Sequence, residues 1–145
     1  MEKITKTTGM KNRKIVLSTL WIFVTFNWLY CDVMTLMDPI QLKQVLTNTA
    51  GAIQMTEGFL LGAAIVMEIP IALILLSRIL KYRANRWTNI IAGIIMMAVQ
   101  IMSLFVGTPS LSYIFYSAVE ISCTIFIVWY AWSWRKTEDV PDSNI

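Results

Sequence analysis

Four apolar runs, at residues 15–37, 53–80, 87–106 and 111–134, constrain this chain more than any other feature, because its basic residues gather at alternate connections between them. About 20 apolar residues in helical form cross the hydrocarbon core of a bilayer. Within that core a backbone must satisfy its own hydrogen bonds, which a helix does along its length. The runs therefore predict an all-α fold, an integral membrane bundle of four transmembrane helices. Composition agrees: 14% of the residues are charged, against about 25% in a soluble domain.

Basic residues fix the expected topology. Lys3, Lys6, Lys11, Arg13 and Lys14 lie in an arm at residues 1–14, Arg78, Lys81, Arg83 and Arg86 around the second connection, and Arg135 and Lys136 after the fourth run. Lys43 alone lies elsewhere. The positive-inside rule then puts both termini in the cytoplasm and the other two connections outside. Trp87, Trp132 and Trp134 suit the inner interface, and Tyr113 and Tyr116 the outer one. A net charge of +3 could suggest nucleic acid as a partner, but charges placed at the ends of apolar runs form no solvated patch, so the expected partner is the lipid bilayer. The first run is too long for a signal-peptide core of about 7–15 residues and is read as a retained helix.

The connections read as caps and turns. Asp38-Pro39 stops the first run and starts a short amphipathic helix at residues 39–46, with Asp as N-cap and Pro in the first turn. Residues 48–51 and Gly107-Thr108-Pro109-Ser110 have turn composition. The bundle is a single domain at residues 15–136, and the acidic tail at 137–145 is expected to be disordered.

Polar residues inside the runs are the candidates for function, because each is costly in lipid. In the first run Trp21, Thr25, Trp28, Asp32 and Thr35 align, while Asn27 shares a side with Tyr30 and Cys31. In the second, Glu57 and Glu68 lie eleven residues apart, about 20° apart in azimuth and about 16 Å along the axis. The third carries Asn89, Gly93, Met96, Gln100 and Ser103 on one face, and the fourth carries Tyr113, Tyr116, Glu120 and Thr124. Turning all four faces inward is the least costly arrangement. It places four carboxyls, Asp32, Glu57, Glu68 and Glu120, in an interior without Lys, Arg or His. Such carboxyls are either protonated and hydrogen-bonded or joined by something cationic.

Each candidate has a plainer reading. Gln100 and Asn27 serve first as interhelical bonds, at about 0.6–2 kcal/mol each, with Tyr30 and Tyr116 as further partners for the acids. Glu57 can reach the outer interface. Glu68 and Glu120 favour function, since a mid-membrane carboxyl costs about 3 kcal/mol on insertion scales and glutamine would do the structural work for less. Pro70 predicts a kink beside Glu68. Gly58 and Gly62 form a G-x-x-x-G, a pattern for close helix contact within the bundle or in a homo-oligomer. Histidine is absent, Cys31 and Cys123 form no C-x-x-C, and the nine methionines fill space. No metal, no cofactor and no catalytic residue is expected.

Two segments carry a resemblance: residues 17–39, with Asn27, Tyr30, Asp32 and Asp38-Pro39, and residues 57–70, from Glu57-Gly58-Phe59-Leu60-Leu61-Gly62 to Glu68-Ile69-Pro70. Together they resemble an uncharacterised family of small bacterial four-span membrane proteins, a domain-of-unknown-function group similar in layout to DoxX-like proteins. The resemblance implies a multi-pass protein of the bacterial inner cell membrane and brings no substrate or catalytic residue.

Function divides three ways. A small transporter or ligand-binding protein would hold protons or a cationic or amphipathic ligand in an acidic cavity open to the outer side. Small multidrug transporters share the four spans but carry their carboxylate early in the first span, whereas Asp32 lies near the outer end. A structural or accessory subunit would keep its carboxyls protonated and hydrogen-bonded. An intramembrane enzyme is the least favoured: lipoprotein signal peptidases have four spans and two aspartates, but their Asn and Asp motifs are missing here.

Overall fold

The computed structural model describes residues 2–47, 49–50, 53–106 and 109–134, and within them the side chains from Lys11 onward other than that of Ala50. Helix α1 spans Glu2–Met37, α2 Pro39–Leu46, α3 Glu57–Ile79, α4 Tyr82–Ser103 and α5 Leu111–Trp132. Strands β1 (Thr49–Ala50) and β2 (Ile53–Gln54) pair antiparallel, Thr49 opposite Gln54 and Ala50 opposite Ile53. Four helices are long and apolar enough to cross a membrane, over Lys11–Met37, Glu57–Ile79, Tyr82–Ser103 and Leu111–Trp132. The chain is an all-α multi-pass membrane protein.

Boundaries shift where local chemistry intervenes. The basic arm is not separate from the first span, because helix α1 runs through it without a break. The second span begins at Glu57 rather than residue 53, since Ile53 and Gln54 are taken by the hairpin and Thr56 then caps the helix, accepting from Phe59 N at 3.2 Å. Helix α4 begins at Tyr82, a turn and a half before the apolar run, so its first turns are polar. Asp38 caps α2 by accepting from Ile40 N at 2.9 Å, with Pro39 in the first turn. Ser110 caps α5 in the same way, accepting from Tyr113 N. The acidic tail and residues 48, 51 and 107–108 of the expected turns lie outside the described residues.

Helix α1 packs on α3 and α5, and α5 on α4, while α3 and α4 meet over a smaller area. The core is concentrated toward the end that carries Arg13, Arg78 and Arg86, called here the basic end. It comprises Leu17, Trp21 and Val24 of α1, Leu73 of α3, Ile90 and Met96 of α4, and Ile127 and Ala131 of α5. Trp134 is fully buried there, edge-on to Tyr82 at 5.2 Å, with the Tyr82 hydroxyl donating to its carbonyl at 2.8 Å. It is therefore a core residue, not the interfacial one its position suggested; Trp87 and Trp132 are exposed. Phe23, Phe26, Leu29, Leu60, Ile94 and Phe115 are exposed around the bundle, as suits a surface facing lipid tails.

One glycine explains how α4 and α5 come together. A Cβ added at Gly93 would lie 2.6 Å from Val128 Cγ2. Close approach of two membrane helices needs a small residue at the crossing, and Gly93 supplies it. At Gly58 and Gly62 an added Cβ would meet nothing within 4 Å.

Candidate functional site

Polar side chains of the bundle fall into two groups. At the basic end, a network ties α1, α3 and α4. The Trp21 indole donates to Asn89 Oδ1 at 2.6 Å, and Ser77 Oγ donates to the same oxygen at 3.2 Å. Asn89 Nδ2 donates back to Asn85 Oδ1 and to the Asn85 carbonyl, while Asn85 Nδ2 donates to the Ser77 carbonyl. Beside it, Ser18 Oγ donates to the Ile74 carbonyl at 2.7 Å and accepts from Arg78 Nε at 3.0 Å. Asn85, Asn89, Ser77 and Ser18 are fully buried. Buried amides hydrogen-bonded on both sides are satisfied structural elements.

Toward the opposite end, the polar residues are treated differently. Gln100 Nε2 donates to Ser117 Oγ at 2.8 Å, joining α4 to α5, and the Tyr113 hydroxyl donates to Ser103 Oγ at 2.7 Å. These bonds satisfy their groups. Glu120, near the middle of α5, has none: its side chain is 1% exposed and both carboxyl oxygens are unpartnered. The Trp28 indole N–H is also buried and unpartnered. It acts on the Glu120 carboxyl from α1 without reaching hydrogen-bond geometry, and Asp32 adds a like charge nearby. Cys31 is buried within the field of both carboxyls, and the Tyr113 ring lies in that field too.

The site is built by helix phase. Trp28, Cys31 and Asp32 occupy one turn of α1, at the level where α1 faces α5. Glu120 sits on the same stripe of α5 as Ser117 and Thr124, both buried, and Thr124 Oγ1 donates back to the Glu120 carbonyl at 2.6 Å. A carboxyl held between packed helices with an orphaned indole N–H beside it can bind a proton, or a cationic group that also accepts one hydrogen bond. Among the described residues no group of three or more His, Cys, Asp or Glu is placed to hold a metal ion.

The expectation that all four polar faces turn inward holds for α4 and α5, holds in part for α1, and fails for α3. Asn89, Gly93, Met96 and Gln100 are buried, as are Glu120 and Thr124, and Tyr116 is half-buried. On α1, Trp21 and Trp28 are buried but Asp32 is exposed. Asn27 is half-buried and donates to the Phe23 carbonyl of its own helix at 3.2 Å; Tyr30 is exposed. Glu57 and Glu68 are both exposed. The inward face of α3 is Pro70, Leu73 and Ser77, and by helix phase both acids lie about 170° from it. The physical reason is Ser77: bonded into the asparagine network, it fixes the rotation of α3 and turns the acids away. Glu68 and Glu120 do not converge.

Sequence reasoning overlooked Trp28 as a companion to Glu120, since an indole in an apolar run is ordinarily packing. It also missed Asn85, one turn before the apolar run begins; its spacing of four from Asn89 was the available signal.

A family model described as a family of unknown function, DUF6326, matches residues 3–140. The chain belongs to that family. No curated protein and no solved structure matches it.

Proposed function

We propose that this member of a family of unknown function is a small transporter or ligand-binding protein. Its acidic intramembrane site would open to the outer side and bind protons or a cationic or amphipathic ligand. The observation that supports this is Glu120, buried to 1% exposure with both oxygens unpartnered. Ionisable groups within membranes cluster where charge is bound or moved. Asp32, exposed and within electrostatic reach, supplies the outward approach, with Tyr113 and the Trp28 indole flanking the carboxyl. The basic end lies in the cytoplasm with both termini, and the protein resides in the bacterial inner membrane. No cofactor and no catalytic residue enters this reading.

The second reading, a structural or accessory subunit, rests on hydrogen-bonded carboxyls. Gln100 with Ser117 fits that role, but Glu120 lacks the partners it requires. Infrared difference spectroscopy of the purified protein separates the two, using tetraphenylphosphonium as the cationic probe. The carboxyl C=O band is expected to respond to pH and to the probe in the wild type and to lose that response in Glu120→Gln. A response that persists unchanged in Glu120→Gln overturns the proposal.

A further inference from the structure

Helix α3 is two helices in its surroundings. Its second half packs through Pro70, Leu73 and Ser77. In its first half every residue from Glu57 to Ile65 is exposed, whichever way it points. The side facing directly away from the bundle carries Glu57, Leu61, Ala64 and Glu68, within about 30° of one another's mean direction. Glu68 is the twelfth of the 23 residues of α3, at mid-membrane depth, is exposed, and makes no side-chain hydrogen bond or ion pair among the described residues. Lipid tails offer it no partner either.

We propose that this outward stripe of α3 is the interface with a second copy of the chain, closed by a pair of Glu68 carboxyls. The Lys and Arg residues, gathered on alternate connections, favour one orientation for every copy, so a two-fold axis relating two copies runs along the membrane normal. Residues on the contact line of such an interface meet themselves. The polar group there must be self-complementary, and a neutral carboxyl is, offering one O–H donor and one carbonyl acceptor. Ala64, one turn away on the same stripe, is small enough for the two backbones to approach. Glu57, eleven residues nearer the end of the span, lies where water can solvate it. Gly58 and Gly62 point elsewhere: they lie about 90° and 50° from the inward face, against about 170° for Glu68. The interface is therefore assigned to the Glu68 stripe and not to the glycine pair.

Disulfide cross-linking in native membranes tests this, on a background carrying Cys31→Ala and Cys123→Ala. Ala64→Cys is expected to give a covalent dimer on mild oxidation and Gly62→Cys to give none. Adding Glu68→Leu to Ala64→Cys is expected to lower the cross-linked fraction at least several-fold, while Glu68→Gln, whose amide is also donor and acceptor, retains it. Cross-linking at Gly62 and not at Ala64, or equal cross-linking with leucine and glutamine at 68, overturns the assignment. Gel filtration of each variant shows that it folds. Glu120→Gln is expected to leave cross-linking unchanged, so failure here and failure of the binding proposal are read separately.

Discussion

The asparagine network, which ties α1, α3 and α4 at the basic end, and the surroundings of Glu120, where α5 faces α1, follow opposite rules. Around Asn89 each polar side chain is buried and bonded: Trp21 and Ser77 converge on its oxygen, and its nitrogen returns to Asn85. Around Glu120 a carboxyl and an indole N–H are equally buried and neither is bonded. An unpartnered buried group costs about 1–3 kcal/mol, more when charged. The first region therefore stabilises the bundle and the second weakens it. Stability given up at a buried site is the usual companion of function, and a designer of scaffolds would have put glutamine or leucine at 120.

Substitutions can break that contrast. The largest effect is expected from Asn89→Leu, which strips partners from Trp21, Ser77 and Asn85 together. It should destabilise the protein by about 3 kcal/mol in reversible unfolding from detergent micelles, several bonds being lost at once. Glu120→Leu should do the reverse, raising stability by about 2 kcal/mol in the same assay while removing the infrared response. A loss of stability there would mean the carboxyl is bonded after all. Between the two regions, Gly93→Ala drives a methyl into Val128 and should cost about 1–2 kcal/mol, whereas Gly62→Ala, with open space around it, should change stability by less than about 0.5 kcal/mol. A similarly small effect is expected from Trp28→Phe, which removes the orphaned N–H and keeps most of the ring. Stability should stay within about 1 kcal/mol of the wild type, and a larger loss would show that the indole is structurally bonded to Glu120.

Much of this contrast was legible as spacing. The stripe Asn89, Gly93, Met96, Gln100 on α4 and the stripe Tyr116, Glu120, Thr124 on α5 follow from helix period, and both face inward as expected. Gln100 as an interhelical bond was likewise foreseeable and pairs with Ser117. The stripe on α3 was equally clear and was assigned to the wrong side. Periodicity shows which residues share a face but not which of two unlike faces is buried. Here the opposing face held Ser77, a residue too small to attract notice, and its bonding partner Asn89 lies on the next helix, where only the packing of α3 on α4 brings the two together.

By itself, then, the sequence determined the membrane setting, the four crossings, the cap at Asp38, and the residues that share each helix face. These are consequences of local propensity and of apolar length against bilayer thickness, and need no tertiary contact. Only the tertiary structure decided the rotation of α3, the satisfaction of Asn85 and Asn89, and the isolation of Glu120. Each depends on which donor and acceptor meet across helices. A buried carboxyl and a buried amide look alike in a sequence, and differ only in whether a partner is within reach.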